Sequence, residues 1–224
     1  MNQLVHWIRT GSRGARAEFT DADLITTLLL ISQEPMGRYK LQEELELSEN
    51  STKNLLNFGK INQLLETTCG PTGHFLTKKG KELVSSIFEL IKDYGKCPCS
   101  PFEKKEHYYI LIAPSTRKKG KNSLEMISSW KIRDKAIANN GEAILFLKKK
   151  KTGDLDFPEP DIELKDFYPK FQRKIEYHLK IPIETNEFLL IVAAKTLQKA
   201  RKSAFITTIS MDKMLLEKVH NSYK

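Results

Sequence analysis

The chain has 224 residues, 40% of them apolar, and a formal charge of +9, which suits two soluble globular domains of about 100 residues each. No stretch approaches the ~20 apolar residues of a membrane span, and the opening "MNQLVHWIRTGSRGAR" lacks the apolar centre of a signal peptide, so a cytoplasmic protein is expected. Three cysteines, Cys69, Cys97 and Cys99, are an odd set in a reducing compartment and argue against a disulfide framework. Residues 1–96 carry 12 basic and 12 acidic side chains, so the whole excess lies in residues 97–224. A basic half of this kind either attracts nucleic acid or is a solvated charged surface.

In chain order, "FTDADLITTLLLISQEP" opens a helix over 20–34, with Thr20 and Asp23 spaced as a capping box and Leu24, Leu28 and Ile31 on one face. "MGRYKLQEELEL" predicts a short second helix that turns Leu41 and Leu45 inward. Ser48 caps a third helix over 49–64, whose inward positions are Thr52, Leu55, Leu56 and Ile61. Strands at 65–69 and 74–76 then flank a Gly70-Pro71-Thr72-Gly73 turn, and Thr77 caps a fourth helix, "KKGKELVSSIFELIKDYG", striped by Leu83, Ile87, Leu90 and Ile91. Helix, helix, helix, hairpin, helix is the order of a winged helix-turn-helix domain, in which the third helix enters the major groove.

The outward face of that third helix predicts the DNA contacts Asn50, Ser51, Lys53, Asn54, Asn57 and Lys60, with Lys78 and Lys79 beside the wing. Asn bonds adenine bidentately, while Ser and Lys reach base edges or phosphates. Arg9, Arg13 and Arg16 form either an arm along the minor groove or an ordinary solvated terminus.

After a linker at 97–106, the second half predicts the order βαββαβα: a strand at 107–113, a helix at 122–140 stopped by Gly141, strands in "EAILFLKKK" and "GDLDFP", a helix at 165–180, a strand at 187–194 and a helix at 196–210. This order suits a sheet with helices on one face, as in ferredoxin-like folds. The fold class expected is thus α+β: a winged helix-turn-helix domain over 1–96 and an α/β domain over 107–224. In "APSTRKKGKNS", Ser115, Thr116, Arg117 and Ser123 either hold a small anionic effector at the helix N-terminus, with Arg133 further along, or belong to a solvated basic loop. Arg133 and Asp134 are adjacent and are expected to point to different sides, each pairing with a neighbour. Cys97-Pro98-Cys99 with Cys69 and His74 misses the spacing of structural zinc ligands, so no metal is expected, and a redox pair is favoured little more.

The run "MGRYKLQEELELSENSTKNLLNFGKINQLLETTCGPTGHFLTKKGKEL" resembles the winged-helix half of a two-domain archaeal family of transcriptional regulators with a C-terminal domain of unknown function. "SWKIRDKAIANNGEAILFL", "GDLDFPEPD" and "NEFLLIVAAKTLQKARKSAFITTI" resemble that second domain. Two residues depart from the pattern: Gly59 stands where such helices carry a core Leu, and Gln63 replaces the Gly before the wing strand. The resemblance implies a regulator that binds double-stranded DNA, and half-site geometry implies a homodimer. The alternative is a winged-helix protein-interaction module fused to a small-molecule-binding or catalytic α/β domain. No catalytic constellation stands out, so an enzyme is not expected, nor is a cofactor.

Overall fold

Thr20 accepts the backbone N–H of Asp23 while the Asp23 carboxylate accepts the N–H of Thr20, and this reciprocal cap starts α1 (Asp21–Gln33). The computed structural model describes residues 19–67, 73–97, 99, 101–113, 129–159 and 162–222. The chain divides into two units, residues 1–87 with 213–224 and residues 88–212.

In the first unit, α1 is buried from Asp21 to Ile31 and serves as the central rod for α2 (Arg38–Leu45) and α3 (Glu49–Ile61). Leu41 and Leu45 of α2 are fully buried, as expected. A two-stranded antiparallel hairpin follows, β1 (Leu65–Thr67) and β2 (His74–Leu76), and then α4 (Lys78–Phe88), capped by the Thr77 hydroxyl at the Gly80 N–H. The predicted turn residues 70–72 lie outside the described residues.

Both departures from the resembled pattern have local explanations. A Cβ on Gly59 would meet the Leu65 side chain at 2.6 Å, so the glycine lets α3 lie directly on β1. Gln63 has φ 57, the left-handed conformation that glycine adopts without steric cost. Gln63→Gly should therefore raise stability by about 0.5 to 1 kcal/mol in denaturant titration. A loss of stability would mean that the Gln63 side chain contributes more than its backbone costs.

Three expectations for the chain after Ile87 are corrected. The fourth helix ends at Phe88, and Ile91–Lys96 is instead a strand, β3, paired antiparallel with β4 (Glu106–Ile112). The expected linker belongs to the second unit: Cys97 is buried in its core and Phe102 stacks on His107 at 5.9 Å. The C-terminal end does not belong to the second unit. There α9 (Lys213–Asn221) returns to the first, with Leu215 and Val219 buried, His220 bonded to Asp21 at 3.1 Å and Lys218 donating to Ser86.

The second unit is mixed α and β. After β4 come α5 (Ser129–Ala138), the hairpin β5 (Ala143–Lys149) and β6 (Leu155–Asp156), α6 (Leu164–Phe167), α7 (Phe171–His178), β7 (Phe188–Ala194) and α8 (Leu197–Ile209). The predicted helix over 165–180 is split into α6 and α7, with Pro169 at the break. The left-handed residue ending α5 is Asn140, φ 69, rather than Gly141. The strands form one antiparallel sheet of order β3-β4-β7-β5-β6.

This order departs from the ferredoxin-like arrangement, because β7 fills the slot between β4 and β5 that the second hairpin strand would take. Helices also cover both faces instead of one. Tyr109, Leu111, Leu189 and Ile191 pack with Leu164, Phe171 and Ile175 of α6 and α7. On the opposite face Tyr108 meets Phe205 of α8 at 5.6 Å. The reason is composition: every residue of β7 is buried, and a strand apolar on both faces needs two coverings.

Candidate nucleic-acid interface

Ser48 opens α3 by accepting the Ser51 N–H at 3.1 Å, one residue after α2 has closed through the left-handed Glu46 and Leu47 has bonded back to Gln42. The turn between α2 and α3 is therefore short and tied at both ends. Along α3, Thr52, Leu55, Leu56 and Gly59 are buried, while Asn50, Lys53, Asn54, Asn57 and Lys60 are exposed. The exposed five recur at three- and four-residue spacing, so they share one face.

Two predictions for α3 are corrected. Ser51 is only 2% exposed, and its hydroxyl lies 2.7 Å from that of Ser48. It sits four residues before Leu55, and that spacing already assigns it to the buried face. Ile61, predicted inward, is instead 80% exposed, at the C-terminal end of the open face.

Lys78, Lys79 and Lys81 are exposed at the start of α4. Lys79 Nζ donates to the Asn62 carbonyl at 3.1 Å, which satisfies the C-terminal end of α3 and complements its dipole. Nearby acid is partly neutralised, since Arg38 pairs with Glu49 at 3.1 Å. Arg38 was absent from the sequence-based set; its partner lies 11 positions away across the α2–α3 turn.

The hairpin is tied to the strand-like Met36 through His74, whose N–H donates to the Met36 carbonyl at 2.9 Å and whose Nδ1 lies 3.2 Å from that oxygen. Burial holds the His74 pKa below 6.5; the Met36 carbonyl opposes the shift and Lys60 adds to it. His107 of the second unit is likewise lowered by burial, and its Nε2 has no hydrogen-bond partner among the described residues. Both imidazoles are thus neutral at pH 7, and the unfolded chain binds more protons than the folded one below pH 6.5. Stability should be fully present above pH 6.5 and fall as pH drops toward about 5. Thermal melts of a His74→Gln, His107→Gln variant should flatten that fall, and an unchanged slope would show that other groups cause it.

The rest of the predicted set divides between the two units. Arg9, Arg13 and Arg16 lie outside the described residues, as do Ser115, Thr116, Arg117 and Ser123. Arg133 is exposed on α5 and approaches Asp134 at 3.7 Å, so the two point toward one another rather than apart. His74 spends Nδ1 on Met36, Cys97 and Cys99 are free thiols of the second unit, and among the described residues no group of three or more His, Cys, Asp or Glu could hold a metal. No helix among the described residues is long and apolar enough to cross a membrane.

Comparison with known proteins adds to this geometry. No curated protein matches the chain. Residues 20–82 match the model of a family described as PH0730-like, N-terminal domain, a span that begins at the Thr20 cap and ends within α4. Among solved structures, the chain is similar to the hypothetical protein PH0730 from the archaeon Pyrococcus horikoshii OT3, at 26% identity with a TM-score of 0.70, over 92% of this chain and 100% of that one.

Proposed function

We propose that α1 to α4 with the hairpin form a winged helix-turn-helix that binds double-stranded DNA, and that the protein is a sequence-specific transcriptional regulator. The observation that carries this reading is the α3 surface, where three Asn and two Lys are exposed on one face of a helix that the opposite face anchors. Exposed amides suit base edges in the major groove, and lysines on α3 and α4 suit the phosphates on either side. The second unit then serves as an effector-sensing or dimerisation domain, and a homodimer reads two half-sites about one helical turn apart.

Selection from a random double-stranded pool on the immobilised full-length protein tests the reading. The expected result is an enriched motif whose affinity falls steeply with salt. Failure to retain any duplex, or equal retention of all, would sink it. A second reading, a protein-docking surface, is favoured by Ile61 and Tyr39, which are 80% and 71% exposed. A pool that yields no motif would turn preference to it.

A further inference from the structure

The second unit contains a thiol pair that the DNA-binding reading does not use. Cys97 directly follows β3 and is 5% exposed, fixed by its N–H to the His107 carbonyl at 2.9 Å and packed in the core beside Tyr109, Phe171 and Ile175. Its thiol donates to the Cys99 carbonyl at 3.0 Å. Cys99 is half-buried and opens onto a cleft of about 630 Å³, a size that admits an organic molecule. Aromatic Phe167 and Tyr168 line the cleft, and Lys170, Lys174 and His178 bring polar groups from the α7 region.

We propose that this cleft is a dithiol exchange site for small anionic disulfides, with Cys99 as the attacking sulfur, Cys97 as the resolving sulfur and Lys174 as the group that attracts the anion. The two cysteines differ as this division of labour requires. The neighbouring Cys97 thiol, together with the Lys174 ammonium, lowers the Cys99 pKa against the effect of burial. The same pairing and then burial hold the Cys97 thiol far above its ordinary range. The accessible sulfur is thus the nucleophile, and the buried one keeps its proton until the first step is over.

The chemistry balances without any further oxidant. Cys99 Sγ attacks one sulfur of R–S–S–R, the S–S bond breaks, and R–S⁻ leaves and takes up the proton that Cys99 has given to solvent. Cys97 Sγ then attacks Cys99 Sγ in the mixed disulfide, and the Cys97 proton goes to the second departing R–S⁻. The protein gains a Cys97–Cys99 disulfide and the small disulfide is reduced to two thiols. The cleft's volume and its lysines favour an organic anion over a peroxide, for which neither feature is needed.

The full-length protein carrying Cys69→Ser, fully reduced, is to be mixed with oxidised glutathione or with neutral 2-hydroxyethyl disulfide and followed by intact mass and peptide mapping. Expected are an intramolecular disulfide in the Cys69→Ser protein, arrest at a glutathionyl adduct on Cys99 when Cys97→Ser is added, and no reaction when Cys99→Ser is added. Lys174→Gln should slow oxidised glutathione by about three- to fivefold and leave the neutral disulfide unchanged. Brief reaction of the Cys69→Ser protein followed by acid quench should trap the same Cys99 adduct, so the result does not depend on the folding of Cys97→Ser. Reaction at Cys99 no faster than in the urea-unfolded chain, first attack at Cys97, or no difference between the charged and neutral disulfides would each overturn the proposal.

Discussion

Replacing Lys53 and Asn54 together with alanine is expected to lower affinity for the selected duplex by at least about a hundredfold, with folding stability unchanged to within about 0.5 kcal/mol. The two effects separate because both side chains are exposed. Neither contributes to the buried face formed by Thr52, Leu55, Leu56 and Gly59, and alanine is a better helix former than asparagine. A bidentate Asn–adenine contact is worth about 1 to 3 kcal/mol, and a lost phosphate contact adds to it. Ser51→Ala should behave in the opposite way, losing about 1 kcal/mol of stability and little affinity, since its hydroxyl is spent on Ser48 at the start of the helix. Fluorescence anisotropy on the selected duplex, paired with thermal melts, reads both quantities. Survival of tight binding in the double variant would remove α3 from the interface.

The second large effect concerns Gly80, where α4 crosses the residue that joins α3 to the hairpin. A Cβ at this position would lie 2.2 Å from the Leu64 carbonyl oxygen and 3.2 Å from its carbon. That oxygen already accepts the Thr77 N–H at 3.2 Å, so it cannot swing away without opening the start of α4. Gly80→Ala is therefore expected to cost about 3 kcal/mol even after the roughly 1 kcal/mol that alanine gains over glycine in a helix. For a unit of this size the loss lowers the midpoint of thermal unfolding by more than about 10 °C. Lys81→Ala, one residue on and exposed, should stay within about 0.5 kcal/mol of the parent. Equal melting of the two variants would contradict the close approach. Where Gly80→Ala still folds, the shifted hairpin should also weaken DNA binding.

Local devices were readable from the sequence wherever the signal and its partner lie within one turn. Thr20 with Asp23, Ser48 with Ser51 and Thr77 with Gly80 all bond at a separation of three residues. The exposed amide face of α3 was readable for the same reason, because a period of 3.6 sorts neighbouring residues without knowledge of the rest of the fold. Ser51 and Ile61 show where polarity misleads that sorting. Their polarity suggested the reverse of their burial, since a serine busy at a helix start is satisfied inside and the last turn of a helix extends past its support. The thiol cleft shows another limit: Cys97 and Cys99 were visible as a pair, but Lys174 reaches them from more than 70 residues away.

By itself the sequence determined α1 to α3, the hairpin, the start of α4, the strands β4 to β7, α8 and the character of the α3 surface, which follow from spacing and capping over a few residues. Only the tertiary structure decided the rest. Leu90 and Ile91 continue the helical stripe of Leu83 and Ile87, so nothing local stops α4; the ladder with β4 is what draws Ile91–Lys96 into a strand. Pairing also set the order β3-β4-β7-β5-β6, because the apolar runs of β4 and β7 fit the centre of a sheet equally well whichever strands flank them. The return of α9 to the first unit was invisible for a related reason: an amphipathic helix states that it needs an apolar partner, and only packing determines which one it covers.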